Sequence, residues 1–284
     1  MGKDYITRHG ILTAATSTYV LLATGSDGTT GLGSIKIPSN RNRITSIKAT
    51  FTIDGVPIVE VGNIAIIKLD GKGLPGGLQE FIVGGVSSAE TGTSVGMSIS
   101  KRKPTKIPTN LAVTGGNEIS IYGAYVGTDA GSQAISVTIE FGNGNGRSAN
   151  YYVRWDSMTQ ATTTFNPVST TTENDTAVIV TEKSASRISR ITAVVVANAN
   201  HVETGVNFVV KLSGTGMTEQ EIVVYSTQKG LGGGTVTDTD VILAEPNIDG
   251  VDIDIVGGNG LNIAAAYIGT DPGTPLIAVG LEVF

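Results

Sequence analysis

The sequence predicts an all-β protein made of two copies of one domain. Three observations carry the prediction: composition, strand-period alternation, and the recurrence of long segments half a chain apart. Among 284 residues there are 38 Gly, and only 15% are charged. Val, Ile, Thr and Gly prevail over Leu, Glu and Lys, the usage of strands and turns rather than helices. In "ISVTIEF", Ile135, Val137, Ile139 and Phe141 fall on one face of a strand and Ser136, Thr138 and Glu140 on the other.

The recurrence begins with a hairpin. "AYVGTDAG" at Ala124–Gly131 returns as "AYIGTDPG" at Ala266–Gly273, 142 residues later. The match widens to "ISIYGAYVGTDAGSQAISVTIEF" (Ile119–Phe141) and "LNIAAAYIGTDPGTPLIAVGLEVF" (Leu261–Phe284). Upstream, "NRITSIKATF" (Asn42–Phe51) resembles "SRITAVVVAN" (Ser189–Asn198), "NIAIIKLDG" resembles "NFVVKLSG", and "LQEFIVGG" resembles "EQEIVVYS". All recur in one order at offsets of 141 to 147 residues. A half of this length is large enough to bury its own core.

Within the first copy, apolar runs bounded by Gly, Asn, Asp and Pro predict strands at Ser34–Pro38, Ile44–Ile53, Ile64–Leu69, Gln79–Val83, Val95–Ser98, Leu111–Val113, Ile119–Val126 and Ile135–Phe141. That is about eight strands per copy. Helical spacing is nearly absent; the one stretch that admits a short helix is "DSMTQATTT". The first domain is read as residues 1–142, with residues 1–30 either an arm or part of that domain. A linker follows at 143–157, signalled by "GNGNG", and the second domain covers 158–284. "YYVRW", with the sole tryptophan Trp155, abuts the linker and is read as packing between domains rather than a binding platform.

A net charge of −6 argues against direct nucleic-acid binding, which needs many phosphate-neutralising cations. Zero cysteines exclude disulfides and thiolate sites. "MGKDYITRHG" has no apolar signal-peptide core, and no run reaches the roughly 18 apolar residues of a membrane helix, so synthesis in the cytoplasm is expected. His9 is assigned to a mobile N-terminus and His201 to a loop, neither in a catalytic setting. Asp129 and Asp271 read as turn caps. Asp238, Asp240, Asp249, Asp252 and Asp254 are close in sequence, and Asp252 and Asp254 share a strand face. They lack the order of a calcium-binding helical hand and read as a solvated face, with calcium left open. "GKGLPGG" and "KGLGGG" lack the ending and the strand-to-helix setting of a phosphate loop. "SKRKPTK" (Ser100–Lys106), with Lys3, Arg8 and His9, reads as a solvated basic face that would also suit an anionic lipid surface. No catalytic residue, cofactor or metal ligand is assigned.

Eight strands per copy in tandem is the plan of two jelly-roll β-sandwiches related by internal duplication. On "GLGSIKIPSNRNRITSIKATF" (Gly31–Phe51), its repeat "TAVIVTEKSASRISRITAVVV" (Thr176–Val196) and the closing hairpins, residues 31–284 resemble the double jelly-roll major capsid proteins of tailless icosahedral, often membrane-containing, viruses. The resemblance implies a virion protein with no enzymic activity, forming pseudo-hexameric homotrimers beside neighbouring capsomers. It further implies penton or minor capsid proteins and an internal lipid membrane as partners. Three other readings stand beside it: a viral spike or turret, a cell-surface-layer protein, and a carbohydrate-binding β-sandwich module. An aromatic content of 5% disfavours the stacking platforms of the last.

Overall fold

The computed structural model describes residues 2–12, 16–54, 62–74, 77–88, 99–100, 103–127, 132–158, 162–171, 178–196, 206–227, 241–268 and 275–284. Among them are strands and turns and no helix. The first half contributes β1 (Asp4–Leu12), β2 (Thr16–Leu21), β3 (Thr24–Gly25), β4 (Ile35–Lys36), β5 (Arg43–Asp54), β6 (Gly62–Asp70), β7 (Gln79–Ser88), β8 (Ile99–Ser100), β9 (Thr105–Ala112), β10 (Glu118–Gly127) and β11 (Ser132–Gly142). The second contributes β12 (Asn150–Ser157), β13 (Thr162–Pro167), β14 (Ile179–Val180), β15 (Arg187–Val196), β16 (Val206–Gly214), β17 (Gln220–Thr227), β18 (Val241–Ala244), β19 (Asn247–Asp254), β20 (Gly260–Ile268) and β21 (Leu276–Val283).

These strands form four antiparallel sheets. Sheet I runs β3-β1-β11-β5, with β8 and β9 both paired to β5. Sheet II runs β18-β7-β6-β10, with β2 and β4 paired to β10. Sheet III runs β12-β21-β15-β19, and sheet IV β13-β20-β16-β17 with β14 on β20. The same order of pairing therefore appears in both halves, β1-β11-β5-β9 matching β12-β21-β15-β19 and β2-β10-β6-β7 matching β13-β20-β16-β17.

Alternation explains the layering. Ile47, Ile107, Val137 and Ile139 of sheet I face Ile67, Leu69, Phe81 and Ile121 of sheet II across one core. Ile191, Val279 and Leu281 of sheet III face Val210, Leu212 and Ile263 of sheet IV across a second. A third cluster joins the halves: Ile64, Ile66, Ile82 and Val126 from sheet II meet Val194, Val196, Leu276 and Ala278 from sheet III. The sheets are thus stacked in the order I, II, III, IV, each buried layer about the thickness of a pair of facing side chains. Two glycines hold equivalent close approaches. A Cβ at Gly71 would lie 2.6 Å from the Glu118 carbonyl oxygen, and one at Gly214 would strike that of Gly260.

Several expectations need correction. The segment assigned as a linker is only half a connection, because Asn150–Ser157 is β12, paired along its length with β21. "GNGNG" marks the join correctly, but the aromatic run after it alternates as a strand. His9 is not on a mobile terminus: all nine residues of β1 pair with β11. The short helix is absent from the described part of "DSMTQATTT", where Asp156 and Ser157 end β12 and Thr162 opens β13. The repeat alignment also shifts. Ile44 lies opposite Phe141 and Ile188 opposite Val283, so "NRITSIKATF" corresponds to "SRISRITAVV" (Ser186–Val195). The second copy contains Arg-Ile twice, and only the ladder chooses between them. Val95–Ser98 falls outside the described residues.

Candidate functional site

Among the described residues the candidates for chemistry do not converge. Asp129, Asp271, Asp238, Asp240, His201 and "KGLGGG" lie outside the described residues. Asp249, Asp252 and Asp254 are on β19, with Asp252 and Asp254 exposed on one face and Ile253 buried on the other. Asp252 pairs with Arg187 at 3.4 Å, and Asp249 accepts from Asn247 at 2.7 Å. Among the described residues no three His, Asp or Glu side chains converge. His9 Nδ1 lies 2.6 Å from Ser136 Oγ on the outer face of sheet I, next to the Thr7 and Thr138 hydroxyls, themselves 2.9 Å apart. An open cleft of about 540 Å³ near Phe284 is lined by Asn110, Arg147, Ser186, Arg187, Asp254 and Phe284, a mixed-charge lining in which Arg147 donates to the Ser186 hydroxyl at 3.1 Å. Of "GKGLPGG", Gly71 and Gly73 crowd the start of β10. Of "SKRKPTK", Lys103 and Lys106 are exposed.

What the fold does assemble is a contact between its own halves. The Gln79–Glu80 end of β7, beyond the stretch paired with β18, meets the edge strand β12 of sheet III. Gln79 Oε1 accepts from the Tyr151 amide at 2.8 Å, and Gln79 Nε2 donates to Asn150 Oδ1 at 3.2 Å. Glu80 Oε2 accepts from the Val153 amide at 3.2 Å and lies 3.8 Å from Arg154 Nη1, both side chains 4% exposed. Tyr19 donates to the other Glu80 oxygen at 2.8 Å. Lys68, opposite Glu80 in the ladder, lies over the rings of Tyr19 and Tyr122 at 4.8 and 4.7 Å. Two charges taken from water are tolerable here because hydrogen bonds surround them. The Tyr151 ring packs tilted against Phe81, with centroids 4.7 Å apart and planes 37° apart, and its hydroxyl accepts from the Asn110 amide. Burial, then the charge of Glu282, pushes the Tyr151 phenol well above its ordinary range. Gly85 is required at this seam, since a Cβ there would strike Val196. Trp155 is packed against the same apolar cluster. β18 then adds itself to β7, a strand of the second half completing a sheet of the first.

The counterparts of these groups sit on the two outermost sheets of the stack, I and IV. Tyr5, Thr7 and Arg8 lie opposite Glu140, Thr138 and Val137, as Tyr151, Val153 and Arg154 lie opposite Glu282, Gly280 and Val279. "DYITRHG" thus repeats as "NYYVRWD", a match of Tyr and Arg at one spacing that the sequence comparison missed because the other positions differ. Gln220 and Glu221 pair with Leu212 and Lys211 as Gln79 and Glu80 pair with Leu69 and Lys68. Lys211 is 2.6 Å from Glu219 and 3.9 Å from Glu221, and lies over the Phe165 ring at 5.2 Å.

No protein-family model matches the chain, and no curated protein matches it. Among solved structures, the major capsid protein P2 of bacteriophage PM2 is similar over 100% of this chain and 98% of its own, at 10% identity and a TM-score of 0.37. A peptide-N(4)-(N-acetyl-β-D-glucosaminyl) asparagine amidase is similar over 99% and 96%, at 11% identity and a TM-score of 0.40. A structure of infectious bursal disease virus, Gx strain, is similar over 99% and 70%, at 11% identity and a TM-score of 0.27. Capsid protein and amidase score alike, so these likenesses do not separate a structural role from an enzymic one.

Proposed function

We propose that the chain is a structural subunit of a viral shell, built of two tandem jelly rolls related by duplication and associating as trimers whose six rolls make a pseudo-hexagonal tile. The observation that carries this reading is the doubled strand order. Counting the eight main strands of each half in sequence, one sheet runs 1-8-3-6 and the other 2-7-4-5, the order of a jelly roll. A jelly roll alone serves many functions. Two of them locked face to face through a buried seam make a rigid two-lobed block, and such a block suits tiling better than turnover. In this reading the protein is made in the host cytoplasm and resides in the virion. It contacts neighbouring capsomers, penton or minor capsid proteins and an internal membrane, and does without cofactor, catalysis or direct nucleic-acid contact.

Light scattering and negative-stain microscopy of the purified chain test it. The expected result is a particle of three times 29.2 kDa with a six-lobed outline. A monodisperse monomer at all concentrations, especially one that binds or cleaves glycans, would overturn it.

A further inference from the structure

We propose that the outer face of sheet IV docks the outer face of sheet I of a second copy, in the arrangement that sheets II and III already adopt within one chain. The inference rests on the self-assembling role above and names the surfaces that role would use. Its basis is that each half of the internal seam has an unburied double.

Sheet IV repeats the sheet II side. Val209, Val223 and Ile268 take the ladder places of Ile66, Ile82 and Val126, down to a register shift at the same step, Ala65/Ile66 in one sheet and Phe208/Val209 in the other. The three sheet II residues are buried in the seam, whereas Val223 is 59% and Ile268 46% exposed. Exposed branched aliphatics beside β17, which has one ladder partner among the described residues, are a surface that proteins cover or charge. The polar group set is repeated too. Gln79 bonds the Gly77 carbonyl and presents its oxygen to the partner strand, and Gln220 bonds the Thr218 carbonyl in the same way at 3.1 Å.

Sheet I repeats the sheet III side. Arg8 Nη1 donates to the Thr7 carbonyl at 3.1 Å, as Arg154 Nη1 donates to that of Val153 at 2.9 Å. β3 pairs only with Arg8 and His9, leaving the Asp4–Thr7 edge of β1 without a strand partner among the described residues. Docked as the seam is, Glu221 receives the Thr7 amide and Arg8, and Gln220 receives the Tyr5 amide. Charge agrees with the fit: Glu221 on sheet IV meets Arg8 and Lys48 on sheet I, while Glu219 and Lys3 beside them are paired within the chain to Lys211 and Glu140. The two faces differ, so the contact is head to tail, and it closes into a ring when the rotation allows.

One chemical difference sets its strength. The seam face of sheet III carries Val153, Val194, Val196 and Ala278. The same ladder places on sheet I carry Thr7, Thr50, Thr52 and Ser136. Hydroxyls hold water at an interface, so this docking is wetter than the seam and reversible with concentration.

The test uses the full chain with Glu221→Arg, Arg8→Glu and both together, following association by light scattering and folding by Trp155 emission. Each single variant is expected to raise the concentration for half-association at least about tenfold, and the charge-swapped pair to recover most of it. Hydrogen exchange is expected to slow at Gln220–Thr227 and Asp4–Thr7 on association. Trimers unaffected by the single variants, or exchange unchanged at both edges, would overturn this docking while leaving the shell role standing. A wild-type chain that stays monomeric would overturn both.

Discussion

β11 and β21 hold the same place in their sheets, yet one has a single buried face and the other has two. Along β11, Ile135, Val137, Ile139 and Phe141 are buried, while Ser136 and Thr138 between them are half exposed. Every residue of β21 is buried. Leu276, Ala278 and Gly280 occupy the places of Ala134, Ser136 and Thr138, and the apolar or missing side chains are those that face sheet II. At these matching places the inward residues are alike and the outward ones differ according to what each face meets. Glu140 and Glu282 are the exception. Both sit beside a register shift in the neighbouring strand, Glu140 bonded to Thr45 at 2.6 Å and Glu282 to Ser189 at 2.8 Å. Their cations differ, Lys3 at 2.6 Å for one and Arg190 at 2.9 Å for the other.

The largest break in this comparison comes from the repeated glutamates of β7 and β17. Glu80→Ala leaves Arg154 charged in the seam and is expected to cost about 3–5 kcal/mol. Glu221→Ala removes an exposed pair and should cost less than about 1 kcal/mol. Denaturant melts of the two variants measure the gap, and equal losses would mean the seam is not buried in solution. Next is Leu276→Ala, expected to cost about 2–5 kcal/mol through the cavity it opens and to shift Trp155 emission to the red. Ala134→Leu at the matching place should change stability by no more than about 0.5 kcal/mol and leave the emission alone.

A smaller effect is read by pH at Glu140. Burial alone would raise the Glu140 carboxyl, but hydrogen bonds from Lys3 and Thr45 outweigh it and bring the group down from 4.5 to about 2. A depressed carboxyl stabilises the fold fully above its unfolded value and loses that contribution as pH falls through the folded one. The melting temperature should therefore drop between pH 4.5 and about 2, and less steeply in Thr45→Val, whose weaker hold on the carboxylate leaves less to lose. The smallest signal is alkaline. Burial, then the charge of Glu182, pushes the Tyr152 phenol up to about 12. Its neutral form is favoured in the fold, so that contribution is present below about pH 10 and lost as pH rises from there to the folded value. An absorbance titration should lose one ionisation near pH 12 in Tyr152→Phe.

Much of the fold was legible. The closing hairpins, β5, β6 and β7 follow from alternation and from four ordered repeats. β1 was not recognised, because Tyr5, Thr7 and His9 are polar or amphipathic on its outer face and hide the period. β12 was absorbed into a linker by the glycines before it. The two-residue strand β4, read as Ser34–Pro38, is short because it pairs only with Glu118 and Ile119. Of the seam, "YYVRW" reads as packing between domains, and Val153 and Trp155 lie there, whereas Tyr152 packs into the second core. Glu80 and Arg154 were not found, since nothing local distinguishes a buried Glu on β7 from its exposed double on β17.

By itself the sequence determined the strand class, the recurrence of segments half a chain apart and the inward faces, because side chains alternate every second residue and a core needs apolar groups at that period. Only the tertiary structure decided the register at Arg187–Ile191, the crossing of β18 onto the first half, and which outer faces are covered. Those depend on pairings between residues far apart in the chain, and a residue's own type does not state what packs against it.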